Sequence, residues 1–141
     1  MDLGVRGAGF LIVGGTAGIG LAAADALAAD GAALVLVGRS RERAARAAHE
    51  LASRHDTPVH ALCGDLGRAG EAERITEEAV SLLGGLRGMA ITTGLGARGQ
   101  RELLGATDAD WAATFEDVLL ATARAFARSC PCWSGAAAER S

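Results

Sequence analysis

The sequence predicts an α/β protein built on a doubly wound parallel sheet, and three observations carry that expectation. Short apolar runs alternate with helical patterns along the chain, an order that places helices on both faces of parallel strands. One run, Ala33-Leu34-Val35-Leu36-Val37, is apolar throughout, as burial on both faces requires. The first run ends in Gly14-Gly15-Thr16-Ala17-Gly18-Ile19-Gly20, a glycine-rich turn that opens directly into an alanine-rich helix.

Phe10 to Val13 forms the first strand, and the helix after the turn runs from Gly18 to Ala29. Asp30-Gly31 closes it, with glycine where a left-handed cap is wanted. After the second strand, Ser40 caps a helix that continues to Arg54, its solvated face made of Arg41, Glu42, Arg43, Arg46 and Glu50. Pro58 to Leu62 reads as a third strand with proline at its edge. A loop over Gly64 to Gly70 leads into a helix from Glu71 to Leu83, ended by Gly84-Gly85. Arg87 to Thr92 is the fourth strand. Thr93 to Gly105 is a glycine- and arginine-rich loop. Thr107 and Asp110 form a capping-box pattern that opens a long helix to Ser129.

A chain of 141 residues, half of them apolar, suits one domain that buries roughly two thirds of its unfolded surface. A net charge of −3 argues against a nucleic-acid binder, which needs a basic face. No apolar segment approaches a membrane span or a signal-peptide core, so the expected location is cytoplasmic. All 14 basic residues are arginine, which reflects GC-rich coding more than function. Cys63, Cys130 and Cys132 lack metal-ligand spacing, and His49, His55 and His60 do not cluster, so no metal is expected.

The chemistry centres on the glycine turn. A strand feeding a glycine loop and a helix brings backbone N–H groups and the positive end of a helix dipole to one place, where a pyrophosphate can bind. A lone glycine motif is weak, but its context here strengthens it. The spacing of Gly14, Gly18 and Gly20 resembles that of the short-chain dehydrogenase/reductase family rather than the tighter G-x-G-x-x-G of other Rossmann proteins. Gly38-Arg39-Ser40 past the second strand, Asp65-Leu66 past the third and Thr92-Thr93-Gly94 past the fourth agree with it. The resemblance covers residues 8 to 129.

That resemblance implies a Rossmann-type half-fold with strand order 3-2-1-4, truncated after the fourth strand and the long helix. It makes Gly14, Gly15, Thr16, Ala17, Gly18, Ile19 and Gly20 the pyrophosphate turn. Where NAD-using members carry an acidic residue, this chain has Gly38 and then Arg39, which favours NADP over NAD because a guanidinium pairs a 2′-phosphate. Asp65 would accept from the adenine amino group and Leu66 would pack on the ring; Ser40, Thr93 and Gly94 complete the cofactor set. Residue by residue, two readings stay open: Arg39 as a phosphate clamp or a solvated helix-start residue, and Asp65 as an adenine acceptor or a turn residue.

The departures from the family pattern are as informative. Ile91-Thr92-Thr93-Gly94 stands where the family shows Asn-Asn-Ala-Gly, losing both amides, which is expected to weaken strand support. Val118 occupies the place of an asparagine that organises the proton relay. The chain has neither tyrosine nor lysine, so the family's Tyr-x-x-x-Lys acid–base pair is missing and no catalytic residue is assigned.

Two readings of function follow from the resemblance. One is a truncated NADP-dependent oxidoreductase of carbonyl/alcohol hydride transfer that keeps its dinucleotide-binding half. The other is a non-catalytic nucleotide-binding or subunit-interaction module, associating with itself or with a full-length paralogue through the helix over 107–129. Trp111, Phe115, Leu119 and Phe126 would anchor that association, or else face the chain's own sheet. An S-adenosylmethionine-dependent methyltransferase is disfavoured, since such sites want an acidic residue where Gly38-Arg39 stands. Residues 130–141 are expected to be a disordered tail outside the domain of residues 1–129. With Cys130, Cys132 and Trp133 so close together, and a shifted reading of GC-rich codons that resembles the family's approach to a fifth strand, the tail is either frameshifted or a genuine terminus.

Overall fold

A computed structural model describes residues 2–93 and 105–133. Its elements are β1 (Gly9–Val13), α1 (Gly18–Ala29), β2 (Ala33–Gly38), α2 (Arg41–His55), β3 (Val59–Cys63), α3 (Glu71–Leu83), β4 (Gly88–Ile91), α4 (Asp108–Thr114), a π-helical segment (Phe115–Leu120) and α5 (Ala121–Trp133). The four strands are parallel and lie in the order β3-β2-β1-β4, the order expected from the sequence. β3 begins at Val59 rather than Pro58: proline has no N–H to give the ladder, but its carbonyl still accepts from Leu34 N at 2.9 Å.

The apolar runs of β1 and β2 serve two cores by alternation. Leu11, Val13, Val35 and Val37 pack on one face with Ile75 and Ala79 of α3 and Ala121 and Ala125 of α5. Ile12, Leu34 and Leu36 pack on the other with Ala24 and Ala28 of α1 and Ala47, Ala48 and Leu51 of α2. Successive side chains of a strand point to opposite faces, so a central strand covered on both sides must be apolar at every position. Gly20, Ala24 and Ala28 are the buried residues of α1, a seam of small side chains that lets the helix lie close to the sheet. Arg54 and His55 at the end of α2 both contact Asp25 Oδ1 of α1, at 2.7 and 2.9 Å, and tie the two helices together.

The long helix departs from expectation in two ways. Its start is as expected: Thr107 Oγ1 accepts from Asp110 N, and Asp110 Oδ2 accepts from Thr107 N, a complete capping box. It is then interrupted by the π-helical turn at Phe115–Leu120. The looser turn re-phases the helix, so that Ala121, Ala125 and Ser129 are buried while Trp111, Phe115 and Leu119 remain 52, 55 and 52% exposed. These three aromatic and aliphatic residues therefore do not cover the chain's own sheet. The helix also continues to Trp133, beyond the end expected at Ser129, so Cys130 to Trp133 are helical rather than part of a disordered tail. Pro131 lies within this last stretch, where it gives no N–H to the helix ladder.

Candidate functional site

The register brings the carboxyl ends of all four strands to one edge of the sheet. Val13 pairs with both Val37 and Ile91, and Gly38 pairs with Cys63. The segments that follow, at residues 14–17, 39–40, 64–70 and 92–93, therefore emerge side by side. β1 stands between β2 and β4, so the connections from it reverse direction there and open a crevice, the usual ligand position of an open α/β sheet.

The glycine turn occupies that crevice. Gly14 has φ +84°, a left-handed conformation, and its N–H donates to Val37 O at 2.9 Å. Gly20 has no room for a side chain, because a Cβ there would overlap Gly14 O and Thr92 Oγ1. Gly15 backs onto Ile12 O, and Thr16 is half-buried against Gly38. Ala17, Gly18 and Ile19 are exposed, Ile19 at 82%. Ala17 is the N-cap of α1, with no side-chain hydrogen bond to the helix and no acidic residue in the first turn. The positive end of α1 thus carries no side-chain cap from the chain itself. The helix next to it is different: Ser40 Oγ accepts from Arg43 N at 3.3 Å and closes the start of α2.

The other expected residues divide. Arg39 is exposed at the end of β2 and has no ion-pair partner among the described residues, which leaves its guanidinium available. Asp65 Oδ1 accepts from Gly67 N at 3.0 Å and its carbonyl accepts from Arg68 N at 3.0 Å, so the turn role is realised, with Oδ2 left over. Leu66 is 7% exposed and packs in the core with Ile75 and Ala72, and it also lines the pocket beside Gly67 and Arg68. Thr93 is exposed beside the turn, while Gly94 lies outside the described residues.

Three site residues were not foreseen. Thr92 N and Oγ1 both donate to Val13 O, at 2.8 and 3.1 Å, and the same hydroxyl abuts Gly14 and Gly20. The support expected to be lost with the family's amides is supplied here by a threonine. Glu71 and Arg74 of α3 hold the loop that carries Asp65: Glu71 Oε2 accepts from Asp65 N at 3.2 Å, and Arg74 Nη2 donates to Cys63 O at 2.7 Å. The Arg74 guanidinium beside Glu71 lowers that carboxyl to about 2, aided by the Asp65 N–H and opposed by desolvation. A carboxylate held charged across the whole physiological range is a fixed acceptor for both groups.

Comparison with known proteins identifies the lineage. The family model described as short chain dehydrogenase matches residues 9–138. The chain belongs to the short-chain dehydrogenase family. It is 33% identical over 124 residues to the uncharacterized oxidoreductase YvrD of Bacillus subtilis, covering 88% of this chain and 45% of that protein. It is 31% identical over 86 residues to the 3-oxoacyl-[acyl-carrier-protein] reductase FabG of Aquifex aeolicus, covering 61% of this chain and 35% of the relative. Among solved structures, L-sorbose reductase from Gluconobacter frateurii, complexed with NADPH and L-sorbose, superposes with a TM-score of 0.88 at 28% identity. That match covers 96% of this chain and 51% of the reductase. The chain thus spans about half the length of the Bacillus subtilis relative and of the L-sorbose reductase, and 35% of the Aquifex aeolicus reductase. No helix among the described residues is long and apolar enough to cross a membrane, and no cluster of His, Cys, Asp and Glu there could hold a metal ion.

Proposed function

We propose that this chain is the dinucleotide-binding portion of an NADP(H)-dependent oxidoreductase of carbonyl/alcohol interconversion, and that alone it binds the cofactor without turning over substrate. The observation that carries the reading is the uncapped amino end of α1, reached through a turn that Gly14 and Gly20 keep free of side chains. The L-sorbose reductase that shares this fold is complexed with NADPH, which supports a nicotinamide dinucleotide as the ligand. Backbone N–H groups of residues 15–20 take the pyrophosphate, Arg39 pairs the 2′-phosphate, and Asp65 Oδ2 accepts from the adenine amino group. The bound nicotinamide supplies the hydride chemistry. The chain's own residues orient the cofactor, but with no tyrosine and no lysine they offer no proton donor of the family's kind for a substrate oxygen.

A second reading has its own support. Trp111, Phe115 and Leu119 form an exposed apolar row on the long helix, the kind of surface that associates with another copy or with a longer relative. Nucleotide binding and association through this row are compatible. Fluorescence titration with NADPH, followed by a carbonyl-substrate panel, tests the main reading: saturable binding with no oxidation above the protein-free rate is expected. Absence of saturation refutes the binding role, and catalysed oxidation refutes the inactive one.

A further inference from the structure

The loop bearing Asp65 is clamped from α3 by a two-residue clasp. Arg74 Nε donates to Glu71 Oε1 at 2.7 Å and Nη2 to Glu71 Oε2 at 2.9 Å, a bidentate pair. The Nη2–Oε2 side of this pair faces the loop, where Nη2 also donates to the carbonyl of Cys63 at the end of β3 and Oε2 also accepts from the N–H of Asp65. Residue 64, between the two bonded peptides, is glycine because the clasp lies directly over it. A Cβ there would stand 2.9 Å from Arg74 Nη2, 3.0 Å from Glu71 Oε2 and 2.6 Å from Ile75 Cδ1. A further contact, Arg74 Nη1 to Glu78 Oε1 at 2.9 Å, braces the guanidinium from the next turn of the helix.

The consequence falls on one atom. The clasp fixes the Asp65 backbone, and Gly67 N takes Oδ1 at 3.0 Å, so the remaining carboxylate oxygen has one direction in which to accept. We propose that Glu71 and Arg74 are positioning residues for base recognition, aiming Asp65 Oδ2 at the exocyclic amino group of a bound adenine. This rests on the dinucleotide reading above and adds the residues that make its base contact selective. The clasp reaches the base through Asp65, whereas the 2′-phosphate contact belongs to the guanidinium of Arg39, on the neighbouring loop, which meets the clasped segment through backbone atoms, at Gly38 O and Arg39 O.

That separation supplies the test. The intact chain is titrated with NADP, with NAD and with the hypoxanthine analogue of NADP, whose base carries an acceptor oxygen in place of the amino donor. The native chain should bind NADP at least about tenfold more tightly than the hypoxanthine analogue. Arg74→Met and the isosteric Glu71→Gln should shrink that ratio to within about threefold while leaving the NADP-to-NAD ratio unchanged, and Arg74→Lys should recover part of it. A merely structural role would lower both ratios together, or neither, and either outcome overturns the proposal. Binding of NADP with no preference over the hypoxanthine analogue in the native chain would overturn it as well, leaving the cofactor reading intact. No saturable binding of any of the three would refute that reading itself.

Discussion

Thr16 of the glycine turn closes the space over Gly38 at the end of β2: a Cβ on Gly38 would stand 2.6 Å from Thr16 Cγ2 and 3.0 Å from Thr16 Oγ1. The two residues are coupled. An acidic side chain at position 38, which the family resemblance associates with NAD use, cannot enter while Thr16 keeps its methyl and hydroxyl groups. Gly38→Asp should therefore destabilise the fold by about 1–3 kcal/mol, as overpacking does. Thr16→Ala together with Gly38→Asp should recover most of that loss, because Thr16 Cβ lies at an ordinary 3.4 Å. Thermal melts of the two single variants and the double variant check this; additive losses would show that the pair is not coupled.

Substitution within the turn should separate shape from strain. Gly20→Ala drives a Cβ into Gly14 O and Thr92 Oγ1 and should cost about 1–3 kcal/mol together with the dinucleotide affinity. Gly18→Ala meets no atom within 4 Å and bears only its φ of +54°, roughly 1 kcal/mol. Denaturant melts that rank Gly18→Ala as the more damaging of the two would contradict the packing described for α1.

Stability should fall in acid through Glu71. Its carboxyl is lowered to about 2 in the folded chain from an ordinary 4.5, so its contribution is fully present above 4.5 and is lost as pH falls from there through about 2. Glu71→Gln should flatten the pH dependence of the melting temperature across that window. An unchanged slope would place the acid sensitivity on other carboxylates.

The fold could be anticipated from the sequence because its information is local. Continuous apolar runs mark strands buried on both faces, and Thr107 with Asp110 marks a helix start whatever packs around it. The site was legible where a backbone conformation demands a residue type, as at Gly14 and Gly20. It was not legible where a side chain's partner lies far along the chain. Thr92 meets Val13 across the sheet, and Arg74 reaches back to Cys63, pairings that no spacing encodes. The π-helical turn at Phe115–Leu120 is likewise a product of packing, which selects the face that Ala121 and Ala125 present.

Association should follow from the apolar row on the long helix and from β4, which among the described strands pairs only with β1. Burying one large apolar side chain contributes about 1.5–3 kcal/mol, so Leu119→Glu or Trp111→Glu should raise a dimer dissociation constant at least about tenfold. Sedimentation equilibrium reads this directly. A native chain that is a monodisperse monomer at all concentrations would remove the association reading.

In the proposed function the crevice at the carboxyl edge of the sheet binds NADP(H) through the amino end of α1, with Arg39 reading the 2′-phosphate. The most direct measurement is calorimetric titration of the native chain and of Arg39→Glu with NADPH and NADH in parallel. The native chain should prefer NADPH by about 1.5–3 kcal/mol, and Arg39→Glu should abolish or invert that preference while NADH affinity is retained. Equal affinities in the native chain, or a preference that Arg39→Glu leaves unchanged, would contradict the account.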